Sequence, residues 1–128
     1  MITLAAAAFT ILLAALAAFQ IALIAGAPLG YLAWGGQDRV LPARKRAGSV
    51  VSIVLYLLFA LVILERADVI DLVADNAQVA VGIATWVIAA YLALGILMNL
   101  ASKSRSERLV MAPTCGVLAA LAVVVALS

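Results

Sequence analysis

The chain has no histidine and only one cysteine among its 128 residues. Histidine is the commonest haem and zinc ligand and the usual general base near neutral pH, so a cytochrome, a zinc protease and a histidine-based hydrolase are all disfavoured. The single Cys115 excludes an intrachain disulfide and paired-cysteine redox chemistry; inside an apolar run it reads as a small hydrophobe. Charge is scarce too, with Asp, Glu, Lys and Arg together making 11% of the chain. Paired carboxylates, a nucleophile with its base and clusters of metal ligands are all missing, so no catalytic residue, metal or cofactor is expected.

What fills the space is apolar. The chain is 69% hydrophobic with a mean hydropathy of +1.30, whereas soluble domains are about 45–50% apolar and about 25% charged. Four runs carry no charge: Met1 to Gln37, Ala47 to Leu64, Asn76 to Ser102, and Leu109 to Ser128. About 20 residues cross a hydrocarbon layer of roughly 30 Å, so each run can span a bilayer. Alternation at period two is absent, which leaves a closed barrel without support. The expected fold is therefore all-α: a polytopic membrane protein with a four-transmembrane-helix bundle, one domain over 1–128, and helices at about 3–27, 42–65, 78–102 and 109–127. Ala25-Gly26-Ala27 resembles a signal cleavage site, but the run before it has no basic residue and about twice the apolar core of a signal peptide, so it is read as a span.

Within helix 1 every fourth residue is small: Ala6, Thr10, Ala14, Ala18, Ala22 and Gly26. Small-xxx-small rows let helices approach closely where lipid supplies little hydrophobic drive, so Ala14, Ala18, Ala22 and Gly26 are the candidate seam, within or between subunits. Helix 2 has a less uniform row of Gly48, Ser52, Tyr56 and Ala60. Arg46 and Glu65, at its ends, are expected to reach outward to the interfaces. Between helices 2 and 3, Asp68, Asp71 and Asp75 fall on one side of a helical wheel, which suggests a short helix on the surface with a solvated acidic face. Their spacing matches no calcium loop.

Orientation follows from the cations. Arg39, Arg44, Lys45 and Arg46 sit between helices 1 and 2, and Lys103, Arg105 and Arg108 between helices 3 and 4; the remaining loop has only Arg66. Positive charge marks the cytoplasmic side, so the expected placement is multi-pass in the inner (plasma) membrane with both termini outside. Trp34 suits the headgroup level. The basic face is expected to meet anionic lipid headgroups. It also offers a candidate ligand or partner site: the turn Trp34, Gly35, Gly36 and Gln37 with Arg39 and Arg44, opposite Asn99, Ser102, Arg105, Glu107 and Arg108. In that arrangement Glu107 would pair with an arginine, and Asn99 with Ser102 would cap or cross-link helix ends. Nucleic acid is not an expected partner, because these cations lie tight against the spans.

The stretches GAPLGYLAWGGQ (25–37 without its first Ala), LPARKR (41–46) and NLASKSRSER (99–108), the last followed by Pro113, resemble those of a family of small uncharacterised four-helix membrane proteins of actinobacterial type. The resemblance covers nearly the whole chain and implies a topology, with no activity attached. Small multidrug exporters are of similar length but resemble one another in a glutamate in helix 1, where this chain has Gln20.

No ionisable side chain is expected deep in a span, which argues against proton- or cation-coupled transport. The first functional expectation is a non-enzymatic membrane protein, a homo-oligomer or an accessory subunit of a membrane-protein partner, using the helix 1 seam and the basic face. The second is a small channel or facilitator for a neutral or anionic solute, with Gln20 and Asn99 as lining. The third is a lipid-binding or lipid-modifying protein using Arg39, Arg44 and Glu107.

Overall fold

In the computed structural model, which describes residues 1–128, four long α-helices form a bundle and there are no strands. They are α1 (Ile2–Ile24), α2 (Ala43–Arg66), α3 (Gln78–Leu100) and α4 (Arg105–Ala126). All four are long and apolar enough to cross a membrane. Successive helices pack side by side around a ring that α4 closes against α1; α3 with α4 is the most extensive pair and α2 with α3 the loosest. Connections 25–42 and 101–104 gather at one end of the bundle, the basic end. Connection 67–77 and both termini lie at the acidic end, where the Arg66 guanidinium donates to the carbonyl of Ser128.

The tightly packed part of the bundle lies toward the acidic end. Ala5, Ala6, Phe9 and Leu13 of α1 cluster there with Ile63, Ile88, Ala89 and Leu92, and with Leu118, Ala119, Ala122 and Val125 of α4. The many alanines bring backbones close, which is how dispersion contacts accumulate when lipid competes for the same side chains.

On α1 the buried face follows Ala6, Phe9, Leu13, Gln20 and Leu23, a three-and-four alternation that tracks one side of a 3.6-residue helix. The four-step row of small residues drifts off that side, because each step overshoots a full turn by about 40°. Ala14 and Ala18 are consequently exposed, and Ala22 and Gly26 only half-buried. Those four do not form a packing seam within the chain.

Two helix ends differ from the sequence expectation. α1 stops at Ile24 rather than near Ala27, with Gly26 at φ +94° just beyond it. α4 begins at Arg105 rather than near Leu109, because the Ser104 hydroxyl caps it by accepting the Glu107 amide at 3.3 Å. Glu107 and Arg108 are therefore helical. Pro42 precedes α2 as its cap residue, and α4 continues through Pro113, whose missing amide leaves the Leu109 carbonyl without a helical donor.

No surface helix forms between α2 and α3; only Asp75–Ala77 makes a single 3₁₀ turn. The reason is Glu65, which turns inward instead of outward and is only 4% exposed. Its carboxylate accepts the Leu72 amide at 2.8 Å, the Val73 amide at 3.4 Å and the Gln78 side-chain amide at 3.1 Å. Those backbone donors are spent on Glu65 rather than on helical carbonyls, so the segment wraps around the end of α2. Asp68, Asp71 and Asp75 all face solvent, and no three metal-ligating side chains come together anywhere in the chain.

Candidate functional site

The connection from α1 to α2 folds back under the basic end of the bundle. The Gly30 amide donates to the Arg39 carbonyl at 2.9 Å and closes the loop. A Cβ at Gly30 would stand 1.8 Å from the Asp38 carbonyl oxygen, so the crossing admits only glycine. Trp34, Gly35 and Gly36 follow at φ +55°, +78° and +73°. Left-handed backbone costs a residue with a Cβ about 1–2 kcal/mol, so Trp34 must be held there by its surroundings. Its indole lies over Gly48, where an added Cβ would be 2.6 Å from the ring, and its Nε1–H donates to Ser49 Oγ at 3.4 Å.

This turn points the Gly35 amide at the Glu107 carboxylate, 3.1 Å away. Beside it Ser104 Oγ donates to the Tyr31 carbonyl at 2.5 Å. The two basic-end connections thus meet, as the sequence suggested. The expected pairing of Glu107 with an arginine does not occur. Lys45 and Asp38 make the one ion pair in the structure, while Arg46 Nε donates to the Leu41 carbonyl and Arg108 Nη1 to the Ser102 carbonyl, each at 2.7 Å. Gln37, Arg39, Arg44 and Arg105 are exposed.

Above the turn, the four helices draw apart around a cavity of about 480 Å³. Gln20 and Asn99 both line it, together with Trp34, Gly35, Ser52, Tyr56, Ser102 and Glu107, and its apolar walls include Leu16, Phe19, Met98 and Met111. A smaller hollow of about 200 Å³ shares Leu16, Tyr56, Met98, Asn99 and Cys115 with it and extends between α2 and α3 past Leu55 and Leu94. Phe59 and Tyr91, edge to face at 5.5 Å, lie across that gap, and Leu92 and Leu118 belong to both the hollow's lining and the packed core.

The polar side chains are unevenly satisfied. Asn99 Nδ2 donates to the Gly95 carbonyl at 2.9 Å and to Cys115 Sγ at 3.3 Å, and makes no link to Ser102, whose hydroxyl instead accepts the Ser104 amide. Gln20, 8% exposed, donates from Nε2 to the Tyr56 hydroxyl at 3.3 Å, and its Oε1 has no partner. Turning the amide over would give Oε1 the tyrosine proton and strand the NH₂ group, so one polar end is unpaired in either setting.

Tyr56 and Cys115 were not among the lining residues expected from sequence, whereas Ser52 and Thr114, polar residues within the spans, do line the cavity. The row Gly48, Ser52, Tyr56 carried the signal, since its first member seats Trp34 and the next two face the cavity. No protein-family model, curated protein or solved structure matches this chain.

Proposed function

We propose that this chain is a non-enzymatic integral membrane protein whose basic-end cavity holds a small amphipathic molecule taken from the surrounding leaflet. The observation that carries this reading is Gln20: nine-tenths buried, with one polar end unpaired, at the wall of a cavity of about 480 Å³. A buried polar group without a partner costs about 1–3 kcal/mol, and an amphiphile bringing a matching group would recover part of it. Cavities of roughly 300–1,000 Å³ suit such molecules. The loose α2–α3 side offers a lateral way in from lipid. In this reading the basic end faces the cytoplasm, both termini lie outside, and the exposed arginines and lysines sit among anionic headgroups, each worth about 1 kcal/mol near the surface.

The test uses Trp34 as reporter in a Trp86→Phe variant, since Trp86 is exposed on α3 away from the cavity. A brominated medium-chain alcohol should quench Trp34 saturably, with weaker affinity in Gln20→Leu. Linear quenching that matches Trp86 in a Trp34→Phe variant would contradict the cavity reading. A pore for neutral or anionic solutes is the weaker alternative, because Phe9, Leu13, Ile63 and Leu118 fill the path beyond the cavity.

Self-association is a second reading, favoured by one specific feature of α1. Ala7, Ile11, Ala14, Ala18, Ile21 and Ala25 are all exposed, and their steps of four and three make a straight stripe of mostly small residues on the outer side. A dimer in mild detergent that Ala18→Trp dissociates would support it; a monomer at all protein concentrations would not.

A further inference from the structure

We infer that the cavity selects a cationic amphiphile, a protonated amine or quaternary ammonium on an apolar body, with its charge seated at Glu107. This rests on the binding-cavity reading above and adds the chemistry of the occupant.

Glu107 is the only side chain carrying a formal charge in the cavity lining. It is 6% exposed, and the Gly35 amide occupies its Oε2 while no protein donor reaches its Oε1, which stays accessible. Removing a carboxylate from water without a partner is costly. The N-terminal turn of α4 and the Gly35 amide offset part of that cost, and no cation is paired with the carboxylate. Seven cations stand at this end of the bundle, and three of them are engaged elsewhere: Lys45 by Asp38, Arg46 by the Leu41 carbonyl, Arg108 by the Ser102 carbonyl. A basic surface thus encloses a cavity whose own charge is negative.

The remaining lining agrees with that sign. The Trp34 and Tyr56 rings share the cavity with the carboxylate, and aromatic faces attract ammonium groups. Gln20, deeper in, is paired through one end only, and the apolar body would lie toward Met98 and the α2–α3 opening. An anionic ligand would be repelled by Glu107, and a neutral one could donate a hydrogen bond to its second oxygen but would leave its charge uncompensated.

The experiment compares three probes of one skeleton on the 128-residue chain in mild detergent: a naphthylalkylammonium, the corresponding alcohol and the corresponding carboxylate. The ammonium should bind about tenfold or more tighter than the alcohol, as expected of a charge-assisted hydrogen bond, and the carboxylate should bind weakest. Glu107→Gln, which retains a carbonyl for the Gly35 amide, should bring the ammonium-to-alcohol ratio close to one, whereas Asp71→Asn at the acidic end should not change it. A ratio near one in the parent protein, or one that survives Glu107→Gln, overturns the charge assignment while the cavity reading stands. Failure of all three probes to saturate defeats the cavity reading itself. Repeating the ammonium titration in nanodiscs of phosphatidylethanolamine and of an uncharged, amine-free galactolipid assigns the source: competition in the first alone supports an aminolipid headgroup, and equal affinity in both supports a free amine.

Discussion

Two glutamates are buried at opposite ends of one bundle, and they are treated very differently. Glu65 has donors on both carboxylate oxygens, two of them backbone amides of the segment it organises. Glu107 has one donor, on one oxygen only, and its side chain lines the cavity. The first carboxylate is a fastening, with its hydrogen-bonding capacity spent on folding a connection. The second has capacity left over, and it lies where a ligand can reach it. The surrounding halves match: interlocked alanines, leucines and Phe9 toward the acidic end, splayed helices around a cavity with polar side chains set in apolar walls toward the basic end.

That contrast can be broken most forcefully in the packing. Phe9→Ala should cost about 3 kcal/mol, because the site is closed on all sides and the void stays empty; Leu16→Ala, already beside the cavity, should cost only about 1 kcal/mol, both read from reversible unfolding in detergent. Equal losses would mean that the two halves are packed alike. Next come the carboxylates. Glu65→Gln places an NH₂ group among donors, so hydrogen exchange at Leu72 and Val73 should accelerate about tenfold or more, while Glu107→Gln should leave the Gly35 amide protected. The two glycines of the turn differ by less. Gly36→Ala combines positive φ with a Cβ only 2.4 Å from Ser104 Cβ and should cost about 2 kcal/mol. Gly35→Ala meets nothing within 4 Å and should cost only the backbone strain, about 1 kcal/mol.

Much of the architecture could be read from the chain, since four charge-free runs and a shortage of polar residues leave few alternatives to four spanning helices. The meeting of the Trp34–Gly36 turn with Glu107 was also legible, because two connections at one end of a four-helix ring are neighbours. Glu65 was not: whether a carboxylate at a helix end points out or folds back depends on which amides the next ten residues offer it. The start of α4 was missed for a more local reason. Ser104 with Glu107 three residues on, just before an apolar run, is a capping signature, and counting charge-free residues passes over it. The row of small residues on α1 marks no packing face within the chain, because a period of four drifts around a helix of period 3.6.

If the cavity binds ligand, the basic half of the bundle is accessible to small polar molecules while the other half is sealed. Cys115 lies on the cavity side of α4, and Ala119, one turn further, belongs to the packed core. The direct measurement is the rate at which a water-borne trimethylammonium methanethiosulfonate modifies Cys115, against Ala119→Cys in a Cys115→Ser background. Rapid modification of Cys115 in the folded protein, slowed by a bound ammonium probe, with no reaction at position 119 until the bundle unfolds, is the predicted result. Equal rates at the two positions, or no reaction at either before unfolding, would contradict it.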